Sequence, residues 1–290
     1  MLPLYISTTY YQIFNTNINE ALKGLNDLDI NGIELGSTHR FDANFKEIVK
    51  SNINPNYNYL THNYCLPSRD ELIINIASLD SAVRNKGILK IFECLEFSKE
   101  INSKFYTFHP GFLADTLKTC FDESKKNYDF HFGSTIYNKV EATNIMYSSL
   151  EKILNYAEKL NIKIAIETEG SLSKSQILLM QSPKEFEELF IRFGKSISVN
   201  FNIAHSTLAS KALCFNVQEL LDVISKHLIA FEISHSNLIN DEHLPLQEDS
   251  FIWSFLKKNK YEVPHILEFR NATIEDLEKS INLFKQRINC

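Results

Sequence analysis

Hydrophobic and polar positions divide the chain into two kinds of segment. Short, near-continuous apolar runs are typical of strands that are buried on both faces of a parallel sheet. Eight such runs occur, over residues 4–8, 32–35, 59–63, 104–109, 162–168, 197–202, 228–235 and 265–269. Between them, apolar residues recur at the spacing of an amphipathic helix. Helices are predicted over residues 18–28, 43–51, 71–100, 143–160, 183–193, 216–226, 250–259 and 273–287.

Eight strands alternating with eight helices predict an α/β protein, a (β/α)₈ TIM barrel. A doubly wound sheet usually has fewer strands and a glycine-rich nucleotide loop, and neither G-x-G-x-x-G nor G-x-x-x-x-G-K-[ST] occurs here. No break in composition interrupts the 290 residues, so a single domain over 1–290 is expected. One long loop, residues 110–142, follows the fourth strand and is rich in aromatic residues. It is expected to be a lid over the substrate, a structural insertion or an oligomer contact.

Charge and cysteine content narrow the class of protein. The formal net charge is −6 and the pI about 5.9, which argues against a protein built mainly to grip nucleic acid. The five cysteines are scattered and form no C-x-x-C pair, so free thiols and a cytoplasmic location are expected. The first residues lack the basic and apolar regions of a signal peptide. No run of 18 apolar residues exists, so no membrane span is expected.

Histidines and carboxylates collect at the carboxyl ends of the predicted strands. In a barrel these ends meet at one mouth, where catalytic residues lie. A lone histidine there is more often a hydrogen-bonded structural residue, but a whole set of them indicates a metal site. The set comprises His62, His109, Glu167, His205, His235 and Glu268. Imidazole and carboxylate ligands favour Zn²⁺ or Mn²⁺, with one to three ions. His131, His227 and His265 lack this placement and are interpreted as structural or solvated.

The order of these residues resembles the xylose-isomerase-like TIM barrel superfamily, which includes sugar isomerases, sugar epimerases and endonuclease IV. The resemblance spans nearly the whole chain. It is carried by His62-Asn63-Tyr64, Phe108-His109-Pro110-Gly111, Ile166-Glu167, Asn202-x-x-His205, His235, Asp241-x-His243 and Glu268.

Endonuclease IV, with three zinc ions, implies a ligand set by position. His62, His109 and Glu167 would hold one ion, and Glu167 would bridge to a second ion. The second ion would also be held by Asn202, His235 and Glu268. His205, Asp241 and His243 would hold a third. Asn202 stands where the family has Asp, so the second ion would be bound more weakly.

The favoured function is a metal-dependent isomerase or epimerase of a sugar or sugar phosphate, working through a metal-stabilised enediolate. In the superfamily's epimerases, the glutamates of the fifth and eighth strands exchange the proton, and here these are Glu167 and Glu268. His39 and Arg270 are candidate substrate contacts, although Arg270 would equally form a salt bridge with a neighbour such as Glu34. The motif Asp241–Glu248 also resembles the isomerase branch, with Gln247 in place of a glycine.

Two other functions stay open at this point. The full ligand set also fits a zinc phosphodiesterase that cleaves abasic DNA, as endonuclease IV does, but no concentrated basic patch is visible. A non-catalytic barrel, kept for binding or assembly, is the third reading. The expected partner is a small sugar-like molecule, and a homo-oligomer is compatible with the sequence.

Overall fold

Eight parallel strands close into a barrel, as the hydrophobic pattern predicts. The computed structural model describes residues 2–11, 17–37, 39–69, 72–122 and 127–288, without the side chains of residues 118–129. The strands are β1 (Leu4–Ser7), β2 (Gly32–Leu35), β3 (Asn58–His62), β4 (Phe105–Phe108), β5 (Thr116–Asp122), β6 (Asn127–Phe132), β7 (Lys163–Glu167), β8 (Ser198–Asn202), β9 (Leu228–Ile233) and β10 (His265–Leu267). Around the barrel the order is β1, β10, β9, β8, β7, β4, β3, β2, so the (β/α)₈ architecture is confirmed.

The described helices cover the outside of the barrel. They are α1 (Ile18–Leu25), α2 (Phe45–Ser51), α3 (Ser81–Glu100), α4 (Lys139–Leu160), α5 (Pro183–Phe193), α6 (Ile203–Leu213), α7 (Val217–Ile224), α8 (Ile252–Lys258) and α9 (Ile274–Ile288). In none of them is there an apolar stretch of the length that crossing a membrane requires.

One helix prediction was wrong in extent, and one helix was not predicted. The helix expected over 71–100 begins only at Ser81, because the Asp80 carboxylate caps the Ala82 backbone N–H. The helix α6 was not expected at all. It begins directly after β8, where the Asn202 side chain accepts a hydrogen bond from the His205 backbone N–H. His205, expected at the end of a strand, therefore lies in the first turn of this helix.

An apolar layer closes the interior of the barrel below its mouth. It consists of Tyr5, Leu60, Phe105, Ala230 and Ile266, with exposures of at most 3%. Side chains in a strand alternate between faces, so residues two positions further on also point inward. These are Ser7, His62, Thr107, Glu232 and Glu268. The interior thus changes from apolar to polar within two residues on every one of these strands, and this change positions the site.

The long loop after β4 contains the antiparallel hairpin of β5 and β6. Phe112 at its base pairs with Leu178 in the loop after β7, and its ring lies 5.2 Å from that of Phe132 and 6.1 Å from that of Phe130. The aromatic side chains of Phe121 and Tyr128 lie outside the described part. The hairpin is therefore fastened at its base beside the mouth, and its role as a lid stays a prediction.

Candidate active site at the barrel mouth

Two clusters of histidine and carboxylate side chains lie at the mouth. We call them the Glu167 group (His62, His109 and Glu167) and the Asp241 group (His205, Asp241 and His243). In each group one ligand atom from every residue lies within 4.8 Å of the others. The structure thus brings together six of the nine predicted metal ligands, in the two triplets that the resemblance implies.

In the Glu167 group, Glu167 Oε2 lies 3.5 Å from His62 Nε2 and 3.6 Å from His109 Nε2. Two ligands that each lie about 2.1 Å from a tetrahedral ion are about 3.4 Å apart, so the spacing fits a metal such as Zn²⁺. Glu167 Oε2 accepts no hydrogen bond from the described residues, although it is buried. His109 Nδ1 lies 2.6 Å from Glu169 Oε1 and His62 Nδ1 lies 2.7 Å from Thr107 Oγ1. Such outer partners orient an imidazole so that Nε2 faces a metal.

In the Asp241 group, Asp241 Oδ2 lies 2.8 Å from His243 Nε2 and 3.3 Å from His205 Nε2. His205 Nδ1 donates to the backbone carbonyl of Thr168 at 3.1 Å. His243 Nδ1 lies 2.7 Å from Glu268 Oε2. Both rings therefore turn Nδ1 toward an oxygen and Nε2 toward Asp241, which is again the arrangement of a metal ligand with its outer partner.

The charges of the histidines decide which carboxyl groups are ionised. Burial raises the pKa of Glu167, but the charges of His109, His62 and His205 outweigh it and lower the pKa to about 2. Glu268 is affected in the same way: burial raises its pKa, and His243 with the hydrogen bond from Glu232 holds it well below the usual range. Conversely, burial and the charge of Asp241 have opposite effects on His205, and its pKa stays well above the usual value.

Two further glutamates, Glu34 and Glu232, share the interior and behave in the opposite way. Burial raises the pKa of Glu232, and the charges of Glu167 and Glu268 raise it further. Burial and the charge of Glu268 likewise raise the pKa of Glu34. The mouth thus combines two ionised carboxylates with two protonated carboxyl groups, which is a set of proton acceptors and proton donors.

The predicted second ion finds less support in the geometry. Among the described residues, Glu167, His235 and Glu268 do not form a third group of the same kind. His235 lies past the end of β9, where the chain pairs with Leu244, and its Nδ1 lies 2.9 Å from Ser250 Oγ. The assignment of His235 as a ligand stays a prediction.

Glu232 occupies the inward position of β9 that sequence analysis missed. It lies two residues after the inward-facing Ala230 and is 1% exposed. Its Oε2 accepts a hydrogen bond from Asn200 Nδ2 at 2.6 Å. The alternation of inward positions along β9 predicts an inward side chain at Glu232, whereas the pattern of histidines at strand ends points to His235, past the end of β9.

Asn202, the position that departs from the family, fastens Glu167 in place. Its Nδ2 donates to Glu167 Oε1 at 3.0 Å, while its Oδ1 caps α6. The amide therefore connects the Glu167 group to the helix that carries His205. Its role as a metal ligand stays a prediction.

The two candidate substrate contacts lie in the loops that follow β2 and β10, the two neighbours of β1 in the barrel. His39 is 8% exposed, and its Nε2 lies 2.9 Å from Thr8 Oγ1. Arg270 Nη2 lies 3.6 Å from Asp241 Oδ2, so the salt bridge of Arg270 is with Asp241. The three histidines placed elsewhere fit their interpretation: His131 is exposed, His227 stacks on Phe190 at 3.7 Å, and His265 is buried with Nδ1 2.8 Å from the Val263 carbonyl.

Comparison with known proteins agrees with this fold. A D-tagatose 3-epimerase-like protein of known structure has a TM-score of 0.74 at 20% identity, over 100% of this chain and 97% of that chain. A D-psicose 3-epimerase, solved in the presence of D-fructose, has a TM-score of 0.72 at 14% identity, with both chains covered completely. An uncharacterized protein of Methanocaldococcus jannaschii is 24% identical over 219 residues, which are 73% of this chain and 66% of that protein. The sequence profile of one family matches residues 23–287, and the chain belongs to that family, the xylose isomerase-like TIM barrels.

Proposed function

We propose that the protein is a metal-dependent isomerase or epimerase that moves a proton at the carbon next to the carbonyl group of a sugar or sugar phosphate. The observation that carries this proposal is the pair of buried, ionised glutamates, Glu167 and Glu268. One belongs to the Glu167 group, and the other contacts His243 of the Asp241 group. The names of two structural neighbours, a D-tagatose 3-epimerase-like protein and a D-psicose 3-epimerase, support the same class of reaction.

A divalent cation, Zn²⁺ or Mn²⁺, would supply a Lewis acid that polarises the carbonyl and the adjacent hydroxyl oxygen of an open-chain sugar. The donor atoms of the Glu167 group and of the Asp241 group fit such a cation in type and in spacing. Asn202 and His235 are further proposed ligands, for the second ion. One to three ions are compatible with these residues.

The two glutamates approach the substrate from different sides. Glu167 ends β7 and Glu268 follows β10, and β8 and β9 lie between these two strands in the barrel. The ionised Glu167 takes the proton from one face of the carbon. Glu268, which accepts a hydrogen bond from the protonated Glu232, passes the proton of Glu232 to the opposite face, which inverts the configuration. Glu167 then releases its proton and Glu232 regains one before the next turnover. Glu167 and Glu268 are 1% and 6% exposed, so water is largely kept from both.

The proposal is tested by product analysis with metal-loaded protein. Ketohexoses, ketopentoses and their phosphates are incubated with the protein, and the epimers or isomers formed are separated and counted. We expect turnover that a chelator removes. Glu167→Gln and Glu268→Gln should each lose about 100- to 10,000-fold in kcat, because each removes a proton-transfer group.

Glu278→Gln is the matched control, since this glutamate is exposed on α9. Its activity should equal that of the wild type. Turnover that survives in Glu167→Gln or Glu268→Gln, or no turnover with any sugar, would contradict the proposal.

Hydrolysis of abasic DNA is the second candidate function. The presence of the Asp241 group beside the Glu167 group favours it, because hydrolases of phosphate esters use more than one metal ion. The net charge of −6 opposes binding to DNA. Chelator-sensitive incision of a duplex with one abasic site, without any sugar turnover, would establish this function instead.

We also propose a reducing, cytoplasmic environment, which fits the free thiols of Cys65, Cys94 and Cys214. A single domain over residues 1–290 and a homo-oligomeric assembly remain proposals from the sequence.

A further inference from the structure

Four buried polar atoms on the β1–β2 side of the mouth accept or donate no hydrogen bond within the described part of the chain. They are Ser7 Oγ, Thr9 Oγ1 and both carboxyl oxygens of Glu34. The three residues are at most 1% exposed. A buried polar group without a partner costs about 1–3 kcal/mol, so a cluster of four such atoms indicates a place where a ligand supplies the hydrogen bonds.

These atoms share one location. Ser7 and Glu34 are partners in the register of β1 and β2, and both side chains point into the barrel above Tyr5. The Ser7 hydroxyl lies near the Glu34 carboxyl and lowers its pKa, but the two groups do not have the geometry of a hydrogen bond.

Gly36 packs closely against two of these residues. A Cβ at this position would lie 2.7 Å from Ser7 Oγ and 2.4 Å from Thr9 Cγ2. The Gly36 backbone N–H donates to Thr8 Oγ1, which also lies 2.9 Å from His39 Nε2, so the backbone of this loop is held in place. The close approach of Gly36 therefore holds Ser7 and Thr9 side by side, and any larger residue at this position would displace them.

The location is next to the proposed reaction centre. In the pairing of β1 with β10, Ile6 lies opposite Leu267, so the next residues, Ser7 and Glu268, lie side by side, and Glu34 lies on the other side of Ser7. Consistent with this placement, the charges of Glu268 and Glu167 both raise the pKa of Glu34. A substrate whose reacting carbon lies between Glu167 and Glu268 would extend its neighbouring carbons toward Ser7 and Glu34.

The chemistry of the cluster selects hydroxyl groups. Two hydroxyls and a carboxyl group offer donors and acceptors together, which matches a sugar hydroxyl that both donates and accepts. A phosphate would be poorly served, because no Lys or Arg of the described chain forms an ion pair with Glu34.

We propose that Ser7, Thr9 and Glu34 form a subsite for the hydroxyl groups next to the reacting carbon, and that it selects an uncharged polyhydroxylated chain over a phosphorylated one at this end. The inference rests on the proposed function for the place of the reacting carbon. It adds a specificity-determining set of residues to the site and narrows the substrate class.

The test is direct binding to the metal-loaded protein, measured by calorimetry. The probes are ketohexoses, the matching sugar alcohols, deoxy sugars that lack one hydroxyl, and ketohexose phosphates. We expect Ser7→Ala and Glu34→Gln to raise Kd for the ketohexoses and sugar alcohols about tenfold, since each loses one or two hydrogen bonds. The deoxy sugar that lacks the hydroxyl group bound by Ser7 should bind to the wild type and to Ser7→Ala with the same Kd. Gly36→Ala should weaken binding at least as much, because its Cβ would displace the side chains of Ser7 and Thr9.

A matched control and a kinetic split separate the subsite from a structural effect. Ser148→Ala, on the exposed face of α4, should bind every probe as the wild type does. Ser7→Ala should keep the wild-type metal content and thermal midpoint, and should raise KM with kcat within about threefold.

The proposal is overturned if Ser7→Ala and Glu34→Gln bind the sugars as the wild type does. It is also overturned if the wild type binds no sugar or sugar alcohol, or if the phosphates bind more tightly than the free sugars. Binding that depends on Ser7, without any turnover, would leave the subsite standing and refute the proposed reaction. Turnover by the wild type, with unchanged sugar binding in Ser7→Ala and Glu34→Gln, would support the proposed reaction and refute the subsite.

Discussion

Replacing Asn202 by Asp tests how the Glu167 carboxylate is held. The substitution exchanges an N–H donor, 3.0 Å from Glu167 Oε1, for a carboxylate oxygen at the same position. Two unit charges at this distance repel by about 5 kcal/mol at an effective dielectric constant of about 20. The protein avoids part of this repulsion by protonating one carboxyl group. Because the pKa of Glu167 is held near 2, the new aspartate takes up the proton, and from its usual pKa of about 3.9 this costs, at pH 7, about 1.4 kcal/mol for each of about 3 pH units, or about 4 kcal/mol.

The metal-free Asn202→Asp variant should therefore be about 4 kcal/mol less stable than the wild type. For a chain of this size the thermal midpoint should fall by about 8 °C. A bound divalent cation compensates the added charge, so adding Zn²⁺ or Mn²⁺ should raise the midpoint of the variant by clearly more than that of the wild type. The assay is thermal unfolding followed by circular dichroism, in chelator and with saturating metal.

Asn200→Asp is the matched control. Asn200 also donates to a buried glutamate, Glu232, at 2.6 Å, and Glu232 belongs to neither the Glu167 group nor the Asp241 group. This variant should also lose stability in chelator, but a bound cation should restore less of it than in Asn202→Asp. The reasoning about Glu167 is refuted if Asn202→Asp is as stable as the wild type in chelator, or if its gain from metal equals that of Asn200→Asp.

Two other substitutions probe the frame of the site and its surroundings. In Gly170→Ala the new Cβ would lie 1.9 Å from the His205 carbonyl oxygen, so α6 must move. We expect a loss of about 3 kcal/mol in the free energy of unfolding, together with weaker metal binding. In the control Gly133→Ala the nearest atom to the new Cβ lies at 3.6 Å, and the free energy of unfolding should change by less than about 0.5 kcal/mol. An unchanged urea midpoint and metal affinity in Gly170→Ala would contradict this close approach. Burial lowers the pKa of His265 to about 4, so the unfolded chain, with a pKa near 6.5, takes up the proton first as the pH falls. The free energy of unfolding should thus fall by about 2 kcal/mol between pH 7 and pH 5 through His265 alone. His265→Gln has no imidazole to protonate, so its free energy of unfolding, measured with urea, should depend less on pH. An equal pH dependence in the wild type and in His265→Gln would refute this.

The sequence predicts the barrel well because its strands are buried on both faces. Short, near-continuous apolar runs fit few structures other than a buried strand, and each of the eight runs overlaps an observed barrel strand. The placement of the Glu167 group follows for the same reason. His62, His109 and Glu167 end their strands or lie just beyond them, and a barrel gathers those ends at one mouth.

The details that escaped prediction depend on geometry at the strand ends. Asn202 ends β8 and also caps α6, so the chain passes from strand to helix without a turn that the sequence would reveal. Glu232 was overlooked because a histidine three residues later fits the chemical expectation better, although the alternation along β9 points to the glutamate. The hairpin after β4 was recognised only as a long aromatic loop.

Deuterium incorporation from solvent tests most directly whether the protein moves a proton on the carbon next to a sugar's carbonyl group. The metal-loaded protein is incubated in D₂O with each ketohexose and ketopentose, and proton spectra follow the hydrogen on the carbon next to the carbonyl group. We expect that at least one sugar exchanges this hydrogen, that a chelator stops the exchange, and that Glu167→Gln slows it at least about 100-fold. Exchange that proceeds unchanged in Glu167→Gln, or no exchange with any sugar while metal is bound, would show that Glu167 does not move this proton in a metal-dependent reaction.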